Sequence, residues 1–188
     1  MKGSPGWKKS PDSVDGRWKQ QLLVWLAGLF GIRTLIETGT CEAATPLAVH
    51  KHFDEIYTVE LSDEYHERSR RNIEKWGLSN VRLYKGDSAP WLRDLLPRIP
   101  PETPLLFWLD GHGSGSGTAD GGEGLPLELA AIDEYCANPL VVIDDEWSAD
   151  MVWLPPYGIN LDHWVKEYRT GEIIMHKGQY HIPPFEDA

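Results

Sequence analysis

The feature that most constrains the fold is a short apolar run that ends in a glycine turn. Residues 32–36 read Ile-Arg-Thr-Leu-Ile, and Glu37-Thr38-Gly39-Thr40 follows directly. A β-branched, apolar segment that ends in an acidic residue and a glycine indicates a strand turning tightly into a helix. We expect that helix to begin near Thr45-Pro46, because a hydroxyl cap is followed there by the residue best suited to the first helical position. Doubly wound α/β folds seat a nucleotide-like ligand on such a unit.

Four further apolar runs predict strands, and each is followed closely by acidic residues. The runs and their acidic ends are Ile56–Val59 with Glu60, Val81–Tyr84 with Gly86-Asp87-Ser88, Leu105–Leu109 with Asp110, and Leu140–Ile143 with Asp144-Asp145. The segments between and after them predict helices at Ser62–Trp76, Pro90–Leu96, Leu125–Ala137 and Leu161–Tyr168. Two last strands, Glu172–His176 and Gln179–Ile182, are predicted to form a hairpin around Lys177-Gly178. The alternation of strands and helices predicts an α/β fold with a parallel sheet.

Length and charge exclude several classes of protein. The chain has 188 residues, of which 41% are hydrophobic, enough for one well-packed domain. We expect a polar N-terminal segment, 1–20, followed by one domain, 21–188.

The net charge of −11 argues against a nucleic-acid partner, since that affinity depends on clustered Lys and Arg. The apolar segment Leu22–Ile32 is too short to span a bilayer. Two distant cysteines and the lack of a signal-peptide pattern predict a reducing, cytoplasmic location.

The turn after the first strand differs from the dinucleotide-binding fingerprint. Gly39 is followed by Thr40, Cys41, Glu42, Ala43 and Ala44, so the glycines that admit a pyrophosphate are missing. Glu60, 23 residues after Glu37, is placed to accept hydrogen bonds from ribose hydroxyls. A nucleoside cofactor without phosphates fits both observations.

These segments resemble class I S-adenosylmethionine-dependent methyltransferases. The first motif of that superfamily is acidic-x-Gly-x-x-x-Gly, and Glu37-Thr38-Gly39 matches it, with Ala43 at the last glycine position. The resemblance is greatest to small bacterial O-methyltransferases of the catechol O-methyltransferase-like and sugar O-methyltransferase type, and it covers roughly Ile32 to Ile182. It implies a single Rossmann-like, doubly wound sheet of seven strands with an antiparallel last strand.

The resemblance also implies roles in binding S-adenosylmethionine. Glu37 and Gly39 would face the methionine moiety, Glu60 the ribose, and Asp87 with Ser88 the adenine edge. The remaining members of the implied cofactor set are Thr40, Thr45, Leu61 and Asp110. Each position has a structural alternative: Glu37 can cap a strand end, Glu60 can cap the following helix, and Asp87-Ser88 can be an ordinary turn. The set as a whole points to the crevice at the carboxyl ends of the strands.

Three aspartates predict a metal site beside that crevice. Asp110, Asp144 and Asp145 follow neighbouring strands, and three converging carboxylates repel one another unless a cation neutralises them. All-oxygen ligands suit Mg²⁺, which would lower the pKa of a substrate hydroxyl. The related O-methyltransferases have an Asp after the fourth strand and Asp-Asn or an acidic pair after the fifth. The alternative is that Asp110 contacts the cofactor and Asp144-Asp145 begins a solvated loop.

A candidate base lies two residues after Asp110. His112 opens a loop with seven glycines between residues 111 and 124. A histidine beside a carboxylate can remove a proton from a hydroxyl nucleophile, although it can equally ligate a metal or be a solvated loop residue. The loop contains no lysine, which excludes a phosphate-binding P-loop. A mobile lid over the crevice is the expected role.

The sequence therefore predicts a methyltransferase that moves a methyl group from S-adenosylmethionine to a hydroxyl oxygen of a small molecule. Sugars, polyols and phenolic natural products are the expected acceptors, with His112, Asp110 and Asp144 as the catalytic residues and a divalent cation assisting. Two alternatives stay open: a metal-dependent hydrolase using Asp110, Asp144 and Asp145, and a non-catalytic S-adenosylmethionine-binding module. The expected partners exclude nucleic acid and membranes, and a homodimer is left open.

Overall fold

The computed structural model describes residues 17–111, 124–144, 164–169 and 172–183, which form one sheet flanked by helices. The strands are β1 (Thr34–Thr38), β2 (Glu55–Glu60), β3 (Val81–Lys85), β4 (Leu105–Leu109), β5 (Pro139–Ile143), β6 (Val165–Arg169) and β7 (Glu172–His176). The helices are α1 (Arg17–Phe30), α2 (Ala44–Val49), α3 (Asp63–Trp76), α4 (Ser88–Leu95) and α5 (Gly124–Tyr135). Single 3₁₀ turns follow α2 at His50–His52 and α4 at Leu96–Arg98.

The seven strands lie in the order β3-β2-β1-β4-β5-β7-β6. Strands β1 to β5 are parallel, whereas β7 runs antiparallel to both β5 and β6. The predicted seven-stranded, doubly wound sheet with an antiparallel last strand is therefore confirmed. The sheet order reverses between β1 and β4, and ligands of such folds bind at the carboxyl ends of the strands beside that reversal.

Both faces of the central strands β4 and β5 are buried, and strand residues alternate between them. From β4, Leu105, Phe107 and Leu109 pack in one apolar cluster with residues of α4 and α5. The intervening Leu106 and Trp108 pack in the other cluster with residues of α1. All five residues of β4 are buried, as expected for a central strand covered on both sides.

Side-chain caps explain where helices α3 and α4 begin. The Ser62 side chain accepts a hydrogen bond from the Tyr65 N–H at the start of α3, and Gly77 ends this helix with a φ of 63°. Helix α4 begins at Ser88, two residues before the predicted Pro90, because the Asp87 side chain caps it. Helix α2 begins at Ala44, since its N-cap position is Ala43 and Thr45 does not cap it.

The C-terminal region differs from the prediction. The described part of the segment predicted as the helix Leu161–Tyr168 is the strand β6, and residues 161–163 lie outside the described residues. Strand β7 pairs antiparallel with β6, so its partner precedes it in the chain and is not the predicted segment after Gly178. The segment Gln179–Ile182 is not a strand. Ile182 is buried in the apolar cluster that contains residues of α1, so the segment after β7 packs against this cluster.

The apolar segment near the N-terminus forms most of helix α1. Leu23 and Leu26 of this helix are fully buried against the sheet. Within the described ranges, none of the helices combines the length and apolar character needed to cross a bilayer. The predicted division of the chain at residue 20 stays a prediction.

Candidate functional site

The carboxyl ends of the central strands bring the predicted acidic residues to one edge of the sheet. The Asp110 N–H donates to the Thr38 carbonyl over 3.1 Å, which places the end of β4 beside the end of β1. The Asp144 N–H donates to the Leu109 carbonyl over 3.0 Å, which places the end of β5 beside β4. Because the ladder extends past the last strand residues, Asp110 and Asp144 become neighbours although 34 residues separate them in the chain.

The turn after β1 is held against β4 by close backbone packing. Gly39 has a φ of 86°, and a Cβ added there would lie 2.7 Å from the Asp110 carbonyl oxygen. Position 39 therefore requires glycine for two reasons, the positive φ of the turn and the closeness of the backbone after β4. From the sequence, the only expected reason was the approach of a ligand to the backbone. Ala43 also has a positive φ, 64°, and is fully buried. This explains why a glycine is usual at that position of the motif.

Glu60 fastens the turn to the end of β2. Its two carboxylate oxygens accept hydrogen bonds from the Cys41 N–H over 2.7 Å and from the Ser62 N–H over 2.8 Å. The side chain is buried. Each carboxylate oxygen has two lone pairs, so the group has acceptor capacity left for ribose hydroxyls. Glu60 thus holds the N–H of Ser62, the residue that caps α3, and its remaining lone pairs could accept the hydroxyls of a cofactor.

Glu37 lies beneath this turn in a network of threonines. The Thr58 hydroxyl donates to Glu37 Oε2 over 2.6 Å and therefore accepts from the Thr40 hydroxyl, also over 2.6 Å. Thr45, predicted as a helix cap, does not cap α2. Burial raises the pKa of Glu37 to about 8, although the Thr58 hydroxyl and the nearby Thr45 hydroxyl oppose the shift. A cationic ligand group beside Glu37 would favour its ionised form.

The predicted cofactor residue Leu61 and the predicted adenine-edge residues Asp87 and Ser88 lie at the ends of β2 and β3. Leu61 directly follows Glu60 and leaves 39% of its surface exposed. Asp87 is exposed and caps α4 through a hydrogen bond from the Ala89 N–H. Ser88, half-buried, is the first residue of that helix. These residues provide an apolar surface and polar groups at one edge, and their contact with a cofactor stays a prediction.

A lysine that the sequence did not single out occupies the end of β5. Lys19 Nζ of helix α1 lies 2.5 Å and 2.6 Å from the two carboxylate oxygens of Asp144. The same ammonium group is 5.9 Å from the centre of the Trp108 ring. Burial, together with the charge of the neighbouring Asp144, raises the pKa of the Asp110 carboxyl. The ends of β4 and β5 thus bring together the carboxyl groups of Asp110 and Asp144 and the ammonium group of Lys19.

The described residues do not fit the predicted Mg²⁺ site. Carboxylate oxygens are suitable ligands, but both oxygens of Asp144 are already bound by the ammonium group of Lys19. Within the described ranges, no group of three His, Cys, Asp or Glu side chains is arranged to hold a metal ion. The third predicted ligand, Asp145, and the predicted base, His112, lie outside the described residues.

Two buried groups near the turn were also missed by the sequence analysis. Thr38 Oγ1 is buried and has no hydrogen-bond partner among the described residues. Glu128 of α5 is fully buried, and its Oε1 would lie 3.7 Å from a Cβ added to Gly111. An acidic residue inside an apolar helix was the available signal for Glu128. Lys19 offered none, because its partner is 125 residues away in the chain.

The fold is shared with solved methyltransferases. A methyltransferase from Podospora anserina, bound to S-adenosylhomocysteine, has a TM-score of 0.63 at 16% identity over 88% of this chain and 80% of that chain. An O-methyltransferase from Bacillus cereus in complex with S-adenosylhomocysteine gives 0.60 at 14% identity, covering 92% of this chain and 83% of that chain.

A third solved structure, from Streptomyces achromogenes, extends this similarity. It is an O-methyltransferase involved in tomaymycin synthesis, in complex with S-adenosylmethionine, and has a TM-score of 0.58 at 16% identity over 88% of this chain and 82% of that chain. No family model matches the sequence, and no curated protein matches it by sequence. At such low identities the similarity establishes the fold alone, which this chain shares with these solved methyltransferases.

Proposed function

We propose that this protein transfers the methyl group of S-adenosylmethionine to a hydroxyl oxygen of a small molecule. The proposal rests on the acidic residues at the carboxyl ends of the strands, beside the reversal of sheet order between β1 and β4. There Glu37, Glu60 and Asp110 surround the turn at Gly39. Carboxylates in place of a glycine-rich phosphate loop suit a cofactor with cationic sulfonium and ammonium groups. The methyltransferase fold supports the same cofactor.

Each residue of the edge has a definite task under this proposal. Glu60 accepts the ribose hydroxyls, Leu61 packs on the adenine, and Glu37 attracts the amino group of the methionine moiety. When bound, S-adenosylmethionine supplies an electrophilic methyl group on its sulfonium sulfur. The acceptor oxygen forms a bond to that methyl carbon as the carbon–sulfur bond breaks, and the hydroxyl proton passes to a base. Asp110 in its ionised form is the described candidate for that base, and His112 is the candidate outside the described residues.

The acceptor proposed here is a sugar, polyol or phenolic hydroxyl. A carboxyl pair beside the cofactor suits a hydroxyl, since carboxylates accept its hydrogen bond and orient its oxygen toward the methyl group. Divalent-cation assistance was part of the prediction, but Lys19 already binds Asp144, so no step here depends on a metal. The cytoplasmic location, the lack of a nucleic-acid partner and the open question of a homodimer stay predictions.

The test of this proposal is cofactor binding measured by calorimetry on the wild type and on Glu60→Gln. S-Adenosylhomocysteine should bind the wild type and raise its melting temperature, while NAD should do neither. Glu60→Gln should weaken binding by about 10- to 100-fold, because hydrogen bonds to a charged group contribute roughly 1.5–3 kcal/mol each.

The matched control is Glu55→Gln at the opposite end of β2. Glu55 pairs with Arg82 on the surface, so its substitution should leave S-adenosylhomocysteine affinity unchanged. Stabilisation by NAD but not by S-adenosylhomocysteine would refute the proposed function. Binding without methylation of any hydroxyl acceptor would favour the non-catalytic module, and hydrolysis without cofactor binding would favour the hydrolase.

A further inference from the structure

We propose that Lys19 takes the place of a divalent cation at the ends of β4 and β5, so that this edge of the site works without a bound metal. The inference adds a residue to the acceptor side of the site, and only its consequence for methyl transfer rests on the proposed function. Its basis is the position of one ammonium group on both oxygens of Asp144, at 2.5 Å and 2.6 Å.

The first argument is the fixed placement of Lys19. Leu23 lies one helical turn after Lys19 on the same face of α1 and is fully buried against the sheet. The Trp108 ring of β4 lies 5.9 Å from the ammonium group and contributes a cation–π contact. Lys19 is therefore held to the strand ends by a packed helix and an aromatic ring, in contrast to a lysine on a free surface.

The second argument is burial. The side chains of Lys19 and Asp144 are 28% and 8% exposed, so the pair is largely withdrawn from water. A buried carboxylate requires a partner charge, and one ammonium group supplies it. A divalent cation at the same place would have to displace Lys19 from Asp144 and would then repel the ammonium group. The two cations are alternatives at this edge.

This arrangement has a consequence for the acceptor. Mg²⁺ binds substrate oxygens as ligands and favours acceptors with two neighbouring oxygens. An ammonium group offers hydrogen bonds and charge without an octahedral geometry. The acceptor therefore needs a single hydroxyl that reaches Asp110, and a vicinal diol is not required.

The experiment compares melting temperatures of the full chain in excess EDTA and in millimolar Mg²⁺. Wild type should melt at the same temperature in both. Lys19→Met should melt lower in EDTA, by about 3–6 °C, because a largely buried carboxylate loses the opposite charge of Lys19. Lys19→Arg, which keeps the charge, should recover part of the loss. In the double variant Lys19→Met with Asp144→Asn, the combined loss should be smaller than the sum of the single losses.

A matched control removes a lysine of the same charge elsewhere. Lys75 is exposed at the end of α3, and Lys75→Met should shift the melting temperature by less than about 1–2 °C. Electron paramagnetic resonance of Mn²⁺ gives a second readout that does not depend on stability. The signal of aqueous Mn²⁺ should persist undiminished in the presence of wild-type protein.

Two results would overturn the proposal. One is Mn²⁺ binding by the wild type that Asp144→Asn abolishes and Lys19→Met leaves unchanged. The other is strictly additive losses for Lys19→Met and Asp144→Asn. Neither measurement uses the cofactor, so a failure of S-adenosylhomocysteine to bind would refute the proposed function and leave this test standing.

Discussion

At the scale of single residues, the buried carboxyl of Glu37 predicts a pH dependence of stability. Burial raises its pKa from 4.5 to about 8, so between these values the folded protein holds a proton that the unfolded chain has released. The stabilisation is complete below the unfolded pKa and is lost as pH rises through the folded pKa. The shift corresponds to at most on the order of 3–5 kcal/mol.

Glu37→Gln should flatten this dependence, because glutamine keeps the volume and does not titrate. The free energy of unfolding by urea, measured across this pH range, should fall with pH less steeply in the variant than in the wild type. Glu42→Gln is the control, since Glu42 is exposed and its substitution should leave the slope unchanged. Equal slopes for wild type and Glu37→Gln would show that Glu37 is ionised in the folded state throughout the range.

The residues of the site differ in how far the sequence could locate them. The sequence could locate the four acidic residues at one edge of the sheet, because each follows an apolar run and parallel strands align their carboxyl ends. These residues are Glu37, Glu60, Asp110 and Asp144. The contact of Lys19 with Asp144 depends on how α1 packs on the sheet, which no local pattern specifies. The same holds for the second role of Gly39, whose close neighbour is the backbone of β4.

At the scale of elements, the packing of the β1 turn on β4 predicts an unusually costly substitution. A Cβ at position 39 would lie 2.7 Å from the Asp110 carbonyl oxygen and would also force a residue with a side chain to a φ of 86°. Gly39→Ala should therefore destabilise the protein by roughly 2–4 kcal/mol, from backbone strain plus the steric displacement of β4.

Gly31→Ala separates the two causes of that loss. Gly31 also has a positive φ, 67°, but a Cβ there meets no atom within 4 Å, so only the conformational cost of about 1 kcal/mol remains. Chemical denaturation of both variants measures the difference. If the two glycines proved equally sensitive, contact with β4 would contribute nothing to the requirement for glycine at position 39.

The elements themselves were predictable where burial and capping agreed with local pattern. Strands β4 and β5 are continuous apolar runs, β3 alternates apolar residues with the exposed Arg82, and α3 has both a serine cap and a terminal glycine. Strand β6 overlaps the segment Leu161–Tyr168 that was predicted as a helix, and its apolar residues Val165 and Tyr168 stand at a helical interval. Its pairing with β7 supplies hydrogen bonds that outweigh this local preference.

At the scale of the whole molecule, the sheet lies between two apolar clusters, one on each face. The candidate site lies at the carboxyl ends of the strands, which both clusters support. Alternate residues of β4 enter different cores, so a disturbance on one face reaches the strand ends that carry Asp110 and Asp144. Helix α1 belongs to this unit because it fills one face and also carries Lys19 to the site. The N-terminal helix is therefore expected to unfold together with the sheet.

Leu23→Ala tests that expectation. Leu23 is fully buried in the core between α1 and the sheet, so truncation should cost about 2–5 kcal/mol through lost burial and the resulting cavity. Leu29→Ala on the same helix is the control, because Leu29 is 44% exposed and should cost much less. Unfolding followed by far-ultraviolet circular dichroism and by tryptophan fluorescence should remain a single transition with coincident midpoints. An early, separate loss of helical signal in Leu23→Ala would instead mean that α1 detaches on its own, and Lys19 would then be an adjustable partner of Asp144 and not a fixed one.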